Sequence, residues 1–519
     1  MLRRCATVAL SGLLAAGAAA PAPAIPASVD ASFQQISAVE LRRYVTVLAS
    51  DQLFGRGVGH AGNRDAEQFI VSALRAAGVP PATPGYLQDV AVYQPRLGTG
   101  GHVRFTTDRG GRLADLSVGT DFYPLPASAD LAVAGPVVLA GFGLSAPSLG
   151  HDDYAAVDAR GAIVLAHDDL PEALQQRASL STEERGELAS VDRKLADARA
   201  HGAAGLILIR TFITDPRGVW PETTSVRSAS YRLLGAMRAA PVAVAALSGR
   251  AADPVRRALE RHRRVRAQLT PGVIATPMLM HNVLAMIEGR EIPGELVVVG
   301  AHLDHDGIDE DGRVYNGADD NASGTAAVIA IAAAFARAAA RGQRPARTVV
   351  FALWNGEEKG SLGAEYYVST PMPGRRVVAN FNLDMVGREE EIPDPDDPRF
   401  LGFARVAAAD STNVVHLLGY SYSADLAAMV ERANDTIRLT IRQDYDRGAQ
   451  GLVRRSDNWP FLEHDVPAVF FTTGLHPEYH TPDDDTDRLD FDKLVRIAGL
   501  AGRAAWLTAE GPAPRLTHR

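Results

Sequence analysis

The sequence predicts an α/β fold carrying a β-rich insert, and two patterns along its 519 residues point there. From MHNVLAMIEG onward, apolar runs of strand length alternate with helical stretches: ELVVVGAHL, SGTAAVIAIAAAFARAA, RTVVFALWN, SLGAEYYV, VVANFNLDM, ADLAAMVERAN, PAVFFTTG and FDKLVRIAGLAGRAAWL. Strands this apolar are buried on both faces, so helices must cover both sides of their sheet. From about residue 125 to 270 the texture changes to short β-like runs: AVAGPVVLAGFG, GAIVLAHDD, AGLILIR and APVAVAAL. Gly and Pro separate these runs, and one helical segment, DRKLADARAHGA, lies between two of them. A chain of this length also exceeds one hydrophobic core.

Ahead of the insert, SAVELRRYVTVLAS has helical periodicity. FGRGVGHAGNRDAEQFIVSALRAAGV reads as a Gly-rich turn and an amphipathic helix from about Asn63, with Asp65 and Glu67 in its first turn. Residues 30–124 are therefore assigned to the first part of the main domain, 125–270 to the insert and 271–510 to the rest of the main domain.

The first 24 residues combine Arg3 and Arg4, an apolar stretch and small residues ending at Ala22, Pro23 and Ala24. That is the pattern of a secretory signal cut after Ala24, and it predicts an exported protein, periplasmic or extracellular. Cys5, the single cysteine, lies inside that segment, so the mature chain is expected to have neither disulfide nor thiolate chemistry. Removing Arg3 and Arg4 leaves 51 basic against 62 acidic residues and moves the formal charge from −9 to −11. That balance argues against nucleic acid as a partner. AAVIAIAAAFARAAA comes nearest to a membrane span, but Arg337 interrupts it and it reads as a buried helix.

Residue types that bind metals recur at the C-terminal ends of the apolar runs, the edge of an open α/β sheet where sites form. They are His302 and Asp304 in GAHLDH, Asp319 and Asp320 in GADDNASG, Glu357 and Glu358 in WNGEEKG, Asp384 in NLDMVG and His480 in EYHTPDD. One His and one carboxylate per ion, with a carboxylate shared between them, suit two zinc ions about 3.5–4 Å apart over a common water. Asp304, two residues past His302, is placed to accept the imidazole's other N–H. An aspartate in the turn of GADDNASG can bridge two cations, although Asp and Asn there also suit a helix cap. The adjacent glutamates can divide labour, one ligating and the other moving the proton of the water. Asp384 sits in an apolar run, where a carboxylate needs a cation. Tyr479, beside His480, could donate to a developing oxyanion. His476 competes as a ligand, but its Leu–His–Pro setting reads as a turn. No single motif decides; five positions of the right type at successive strand ends do.

In this order the motifs H-x-D, D-D-N-x-S-G, G-E-E, N-x-D-M and Y-H-T-P resemble the M28 family of zinc exopeptidases, which includes secreted bacterial aminopeptidases and the glutamate carboxypeptidase II group. The likeness covers roughly residues 35–100 and 275–510. It implies a mixed twisted sheet flanked by helices, two Zn2+, and a bridge on Asp320 rather than Asp319. It further implies His302 and Asp384 on one zinc, Glu358 and His480 on the other, Glu357 as general base, Asp304 orienting His302 and Tyr479 steadying the tetrahedral intermediate. The insert resembles a protease-associated domain in GFGLSAPSLGHDDYAAVDARGAIVLA and KLADARAHGAAGLILI, and SDNWPFLEHDVPAVFF is similar to the family's substrate-side segment. The acidic loop EEEIPDPDDP departs from the pattern, leaving the pocket wall there open.

The expected activity is hydrolysis of the N-terminal peptide bond of peptides or proteins, with Glu357 deprotonating a zinc-bound water. A carboxypeptidase or dipeptidase needs a cation for the substrate's carboxylate, for which Arg388, Arg454 and Arg455 are candidates. A glutaminyl cyclase shares the fold, but the complete Gly-Glu-Glu favours hydrolysis. A non-catalytic, receptor-like binding protein would be expected to have lost ligands, and none is missing here. Terminal side-chain preference and oligomeric state are not legible.

Overall fold

A computed structural model describes residues 24–517 apart from 120, 181, 211–226, 228, 236–240 and 449. The expected signal segment therefore lies, but for Ala24, outside the described residues. A nine-stranded sheet forms the main body, its strands ordered Arg232–Leu233, Leu87–Leu97, Val273–Ile287, Arg347–Trp354, Ile292–His302, Arg376–Leu383, Ala468–Thr472, Val414–Leu418 and Thr440–Arg442. The four central strands, Arg347–Trp354 to Ala468–Thr472 in that order, run parallel. Antiparallel partners flank them, Val273–Ile287 on one side and Val414–Leu418 on the other. This is the mixed, helix-flanked α/β sheet expected.

Burial explains the apolar runs. Every residue of Arg347–Trp354 is buried, because parallel strands are covered on both faces. On one face the Ala-rich helix Gly324–Ala340 and the helix Phe491–Glu510 share a core with the N-terminal helices Ala27–Phe33, Ala38–Leu48 and Ala61–Ala76. On the other face, Leu362–Ser369 and Asn458–Glu463 pack around Trp354 and Phe461. Among the described residues one helical stretch, Ala318–Ala340, is long and apolar enough to cross a membrane, and it is packed inside this core.

The second body is an eight-stranded sheet ordered Arg112–Ser117, His102–Thr107, Val265–Thr270, Val133–Leu139, Ile163–His167, Gly205–Arg210, Ala243–Ser248 and Phe122–Pro124. It has its own core on each face, with helix Gly249–Glu260 on one and Val191–Ala200 on the other. The boundary expected at residue 125 is corrected by this sheet, which begins at His102. The strand HVRFTT alternates polar residues with buried Val103 and Phe105 and lacks the continuous apolar texture that marked the later strands. Two long antiparallel strands, Leu87–Leu97 and Val273–Ile287, lead into the insert and out of it.

Candidate metal centre

Strand register brings the ligand types together. His302 ends its strand opposite Trp354, with Glu357 three residues beyond that partner. Gly300 pairs with Asn382 on the other side, so Asp384 comes level with His302. Asp320 lies in the turn that enters helix Gly324–Ala340. The start of that turn requires a glycine: Gly317 has φ 57°, and a Cβ there would lie 2.1 Å from Asp320 O and 2.4 Å from the His305 ring. His480 follows strand Ala468–Thr472 in a turn, with φ 54°.

The side chains converge as a shared carboxylate requires. Asp320 Oδ1 is 3.3 Å from His302 Nε2, and Asp320 Oδ2 is 3.1 Å from His480 Nε2. Asp384 Oδ1 stands 3.2 Å from His302 Nε2, and Glu358 Oε2 stands 3.6 Å from His480 Nε2. Donors bound to one zinc at about 2.0–2.1 Å in a tetrahedron lie about 3.3 Å apart; His302, Asp320 and Asp384 lie close enough together to hold one ion, and the His480 separations of 3.1 and 3.6 Å suit another. Glu357 Oε2 is 4.0 Å from His302 Nε2 and belongs to neither pair.

The charges give the same answer. Burial would lower the His302 and His480 imidazoles, but Asp384 and Glu357 around the first and Glu358 around the second outweigh it and hold both well above the usual range. Burial would raise Asp320, yet His305, His302 and His480 hold it well below. Burial drives Glu357 well above its range, and Asp457, Glu358 and Asp384 add to that against His302. The Asp457 carboxylate is fully buried with no hydrogen-bond partner on either oxygen among the described residues. So many buried carboxylates need cations, and the donor set suits zinc.

A second layer holds the donors in place. Asp304 was expected to accept from His302, but Asp304 Oδ1 lies 3.9 Å from His302 Nδ1, whose nearer neighbour is the Asp304 main-chain O at 3.2 Å. The Asp304 carboxylate instead accepts the N–H groups of Gly356, Glu357 and Glu358 at 2.9, 3.1 and 3.3 Å, fixing the glutamate turn. Ser456 Oγ donates to Asp384 Oδ2 at 2.6 Å. Asp484 accepts from the Asp319 and Asp320 N–H groups. Asp319, the rejected bridge candidate, accepts from Gly387 N at 2.7 Å and lies 3.4 Å from His476, which is buried away from the ligand groups.

Sequence reasoning missed several participants. His305 Nδ1 sits 2.6 Å from Glu358 Oε1, and Asp306 Oδ2 sits 3.0 Å from His480 Nδ1. Both directly follow the H-x-D motif, so their position was the available signal. Arg56, in the Gly-rich turn, is fully buried and donates to the carbonyls of Leu48, Leu303, Asn316 and Gly317, bracing two ligand-bearing segments at once. No local pattern distinguishes it from a surface arginine.

The pocket over these groups is walled by Met385, Leu452, Phe470 and Leu475, with Tyr479 and Arg455 also lining it. Burial pushes the Tyr479 phenol up, keeping it a neutral donor. Of the three candidate arginines, Arg388 is paired with Glu478 and Arg454 with Glu187 of the insert. Arg455 hydrogen-bonds a main-chain oxygen, that of Gln450.

The model of peptidase family M28 matches residues 282–505. Over 270 residues the chain is 29% identical to a probable zinc metalloprotease of Pyrenophora tritici-repentis, covering 46% of this chain and 59% of that protein. It is 27% identical over 247 residues to a probable glutamate carboxypeptidase of Arabidopsis thaliana, covering 44% and 32%. It is 30% identical over 200 residues to an aminopeptidase of Pseudomonas aeruginosa, covering 38% and 32%. The chain thus spans less than two thirds of the length of each of these relatives. Residues 282–505, the stretch that matches the model of peptidase family M28, carry all five candidate ligand positions.

Proposed function

We propose that this protein is an exported di-zinc exopeptidase, an aminopeptidase that removes the N-terminal residue of peptides or proteins. The observation that carries the reading is Asp320, whose two oxygens face two different histidines at 3.3 and 3.1 Å. His302, Asp384 and Asp320 would hold one zinc; His480, Glu358 and Asp320 the other. Bound there, the pair would polarise the scissile carbonyl and make a water acidic enough to ionise near neutral pH. Glu357 takes that water's proton and delivers it to the leaving amine. Tyr479 donates its O–H toward the oxygen on which charge develops. With the metals bound, one ion and the carboxylates beside it would hold the substrate's free α-amine in its neutral form, and the Pseudomonas aeruginosa relative bears the name aminopeptidase. The apolar wall receives the terminal side chain. The eight-stranded body is proposed as a protease-associated insert beside the cleft.

Arg455 supports a second reading, a carboxypeptidase or dipeptidase, because it lines the pocket with no carboxylate partner among the described residues. One substrate panel separates the two. Aminoacyl chromogenic substrates and peptides blocked at either end are assayed with chelator, then with zinc restored. The aminopeptidase reading expects cleavage of free-amine and C-amidated substrates, none of N-acetylated ones, and loss of all activity on chelation. Cleavage of N-acetylated but not C-amidated peptides would move the assignment to the second reading. A protein that binds no zinc at neutral pH would instead be a binding protein.

A further inference from the structure

His480 turns one ring nitrogen toward Asp320 and Glu358, and the other, Nδ1, faces Asp306 Oδ2 at 3.0 Å. A carboxylate in that place keeps the proton on Nδ1 and leaves the Nε2 lone pair for a cation. The same Asp306 oxygen receives Arg227 Nε at 3.0 Å. Arg227 does not come from the catalytic strands. It lies after Gly205–Arg210 of the eight-stranded sheet and before the edge strand Arg232–Leu233.

Several contacts hold Arg227 against the site. Its guanidinium lies 4.2 Å over the Tyr315 ring, and Nη1 donates to Tyr315 Oη at 3.1 Å. Its main-chain oxygen accepts from Lys359 Nζ at 2.9 Å, one residue beyond Glu358. Close by in the chain, Ala229 and Tyr231 pack with Val58, Val90 and Met280 of the main body. The Asp306 carboxylate is thus pinned between a histidine and an arginine supplied by the excursion of chain that contains the second body.

We infer that Arg227 is a positioning residue for the second zinc, acting through Asp306 on His480, so that the insert's chain completes this metal site. The inference rests on the two-zinc reading. Without Arg227, Asp306 loses the contact that fixes its rotamer, and the His480 ring loses its anchor.

The test is zinc titration of the full-length chain against a chromogenic chelator, with cobalt-substituted spectra as a second readout. R227A, D306N, the double variant and, as control, R313A in the connection between the paired segments Gly307–Ile308 and Val314–Tyr315 are compared with the parent. The parent and R313A should bind two equivalents. R227A should weaken one equivalent by about 10- to 100-fold and leave the other unchanged, with only one half of the cobalt spectrum altered. The double variant should be no weaker than D306N, because both changes act on one chain of contacts. If R227A fails to fold by circular dichroism, R227K carries the test: it retains the charge but cannot serve Asp306 and Tyr315 together, so an intermediate affinity is expected. Two equivalents bound as tightly by the folded arginine variant as by the parent overturn the inference alone. A parent that binds fewer than two overturns the two-zinc reading and this inference with it.

Discussion

Glu357 and Glu358 are chain neighbours held by one aspartate, yet their carboxylates stand in different places. Glu358 Oε2 stands 3.6 Å from His480 Nε2, in ligand position, whereas Glu357 lines the pocket beside the ligands. Glu357→Gln preserves shape and removes only the basic oxygen, so zinc content should stay at the parent level while kcat falls by about 10² to 10⁴-fold. Glu358→Gln should lose zinc as well as activity. Elemental analysis beside steady-state kinetics checks the pair, and a Glu357→Gln enzyme with near-normal kcat would refute the general-base role. That these two residues meet at the candidate centre was legible in the sequence, from adjacent glutamates just past an apolar run. Arg56, Arg227 and Ser456 were not, because each acts through contacts dozens to hundreds of residues away that no local spacing encodes.

At the scale of elements, the centre depends on how tightly helix Gly324–Ala340 seats against the strand that delivers Asp384. Asn321 Nδ2 donates to Leu383 O at 2.9 Å, and Gly324 N donates to Asn321 Oδ1 at 2.9 Å. A Cβ on Gly324 would meet both acceptors at 2.3 Å. Gly324→Ala must therefore push the helix start off the strand, at a cost of about 1–3 kcal/mol for overpacking, and move Asp320 relative to Asp384. Urea unfolding should show that loss, and zinc titration should show weaker binding; a variant equal to the parent in both would mean that the turn is not held by this contact. Strand and helix identities were legible because apolar runs and alternation survive in single segments, whereas the start of the insert was not. The hairpin His102–Ser117 has the mixed polarity of a surface ribbon and declares its sheet only through pairing with Val265–Thr270.

Across the whole molecule, the charges and the cores are unequally divided. The catalytic body concentrates buried carboxylates at one sheet edge, including Asp304, Asp320, Asp384, Asp457 and Asp484, whereas the second body has separate apolar cores and none of these groups. Zinc should therefore stabilise one body and leave the other nearly untouched. A ligand present at 1,000 times its Kd adds about 4 kcal/mol, and for bodies of roughly 150–250 residues 1 kcal/mol moves Tm by about 2–4 °C. Stripping zinc should lower one calorimetric transition by on the order of 10 °C, because it also restores repulsion among carboxylates about 3 Å from shared neighbours. The transition of the eight-stranded body should shift far less, since its own two cores hold none of the ligand groups. A single transition that shifts as one would show that the bodies unfold together, and two transitions both unmoved by chelation would show that the buried carboxylates are stable without cations.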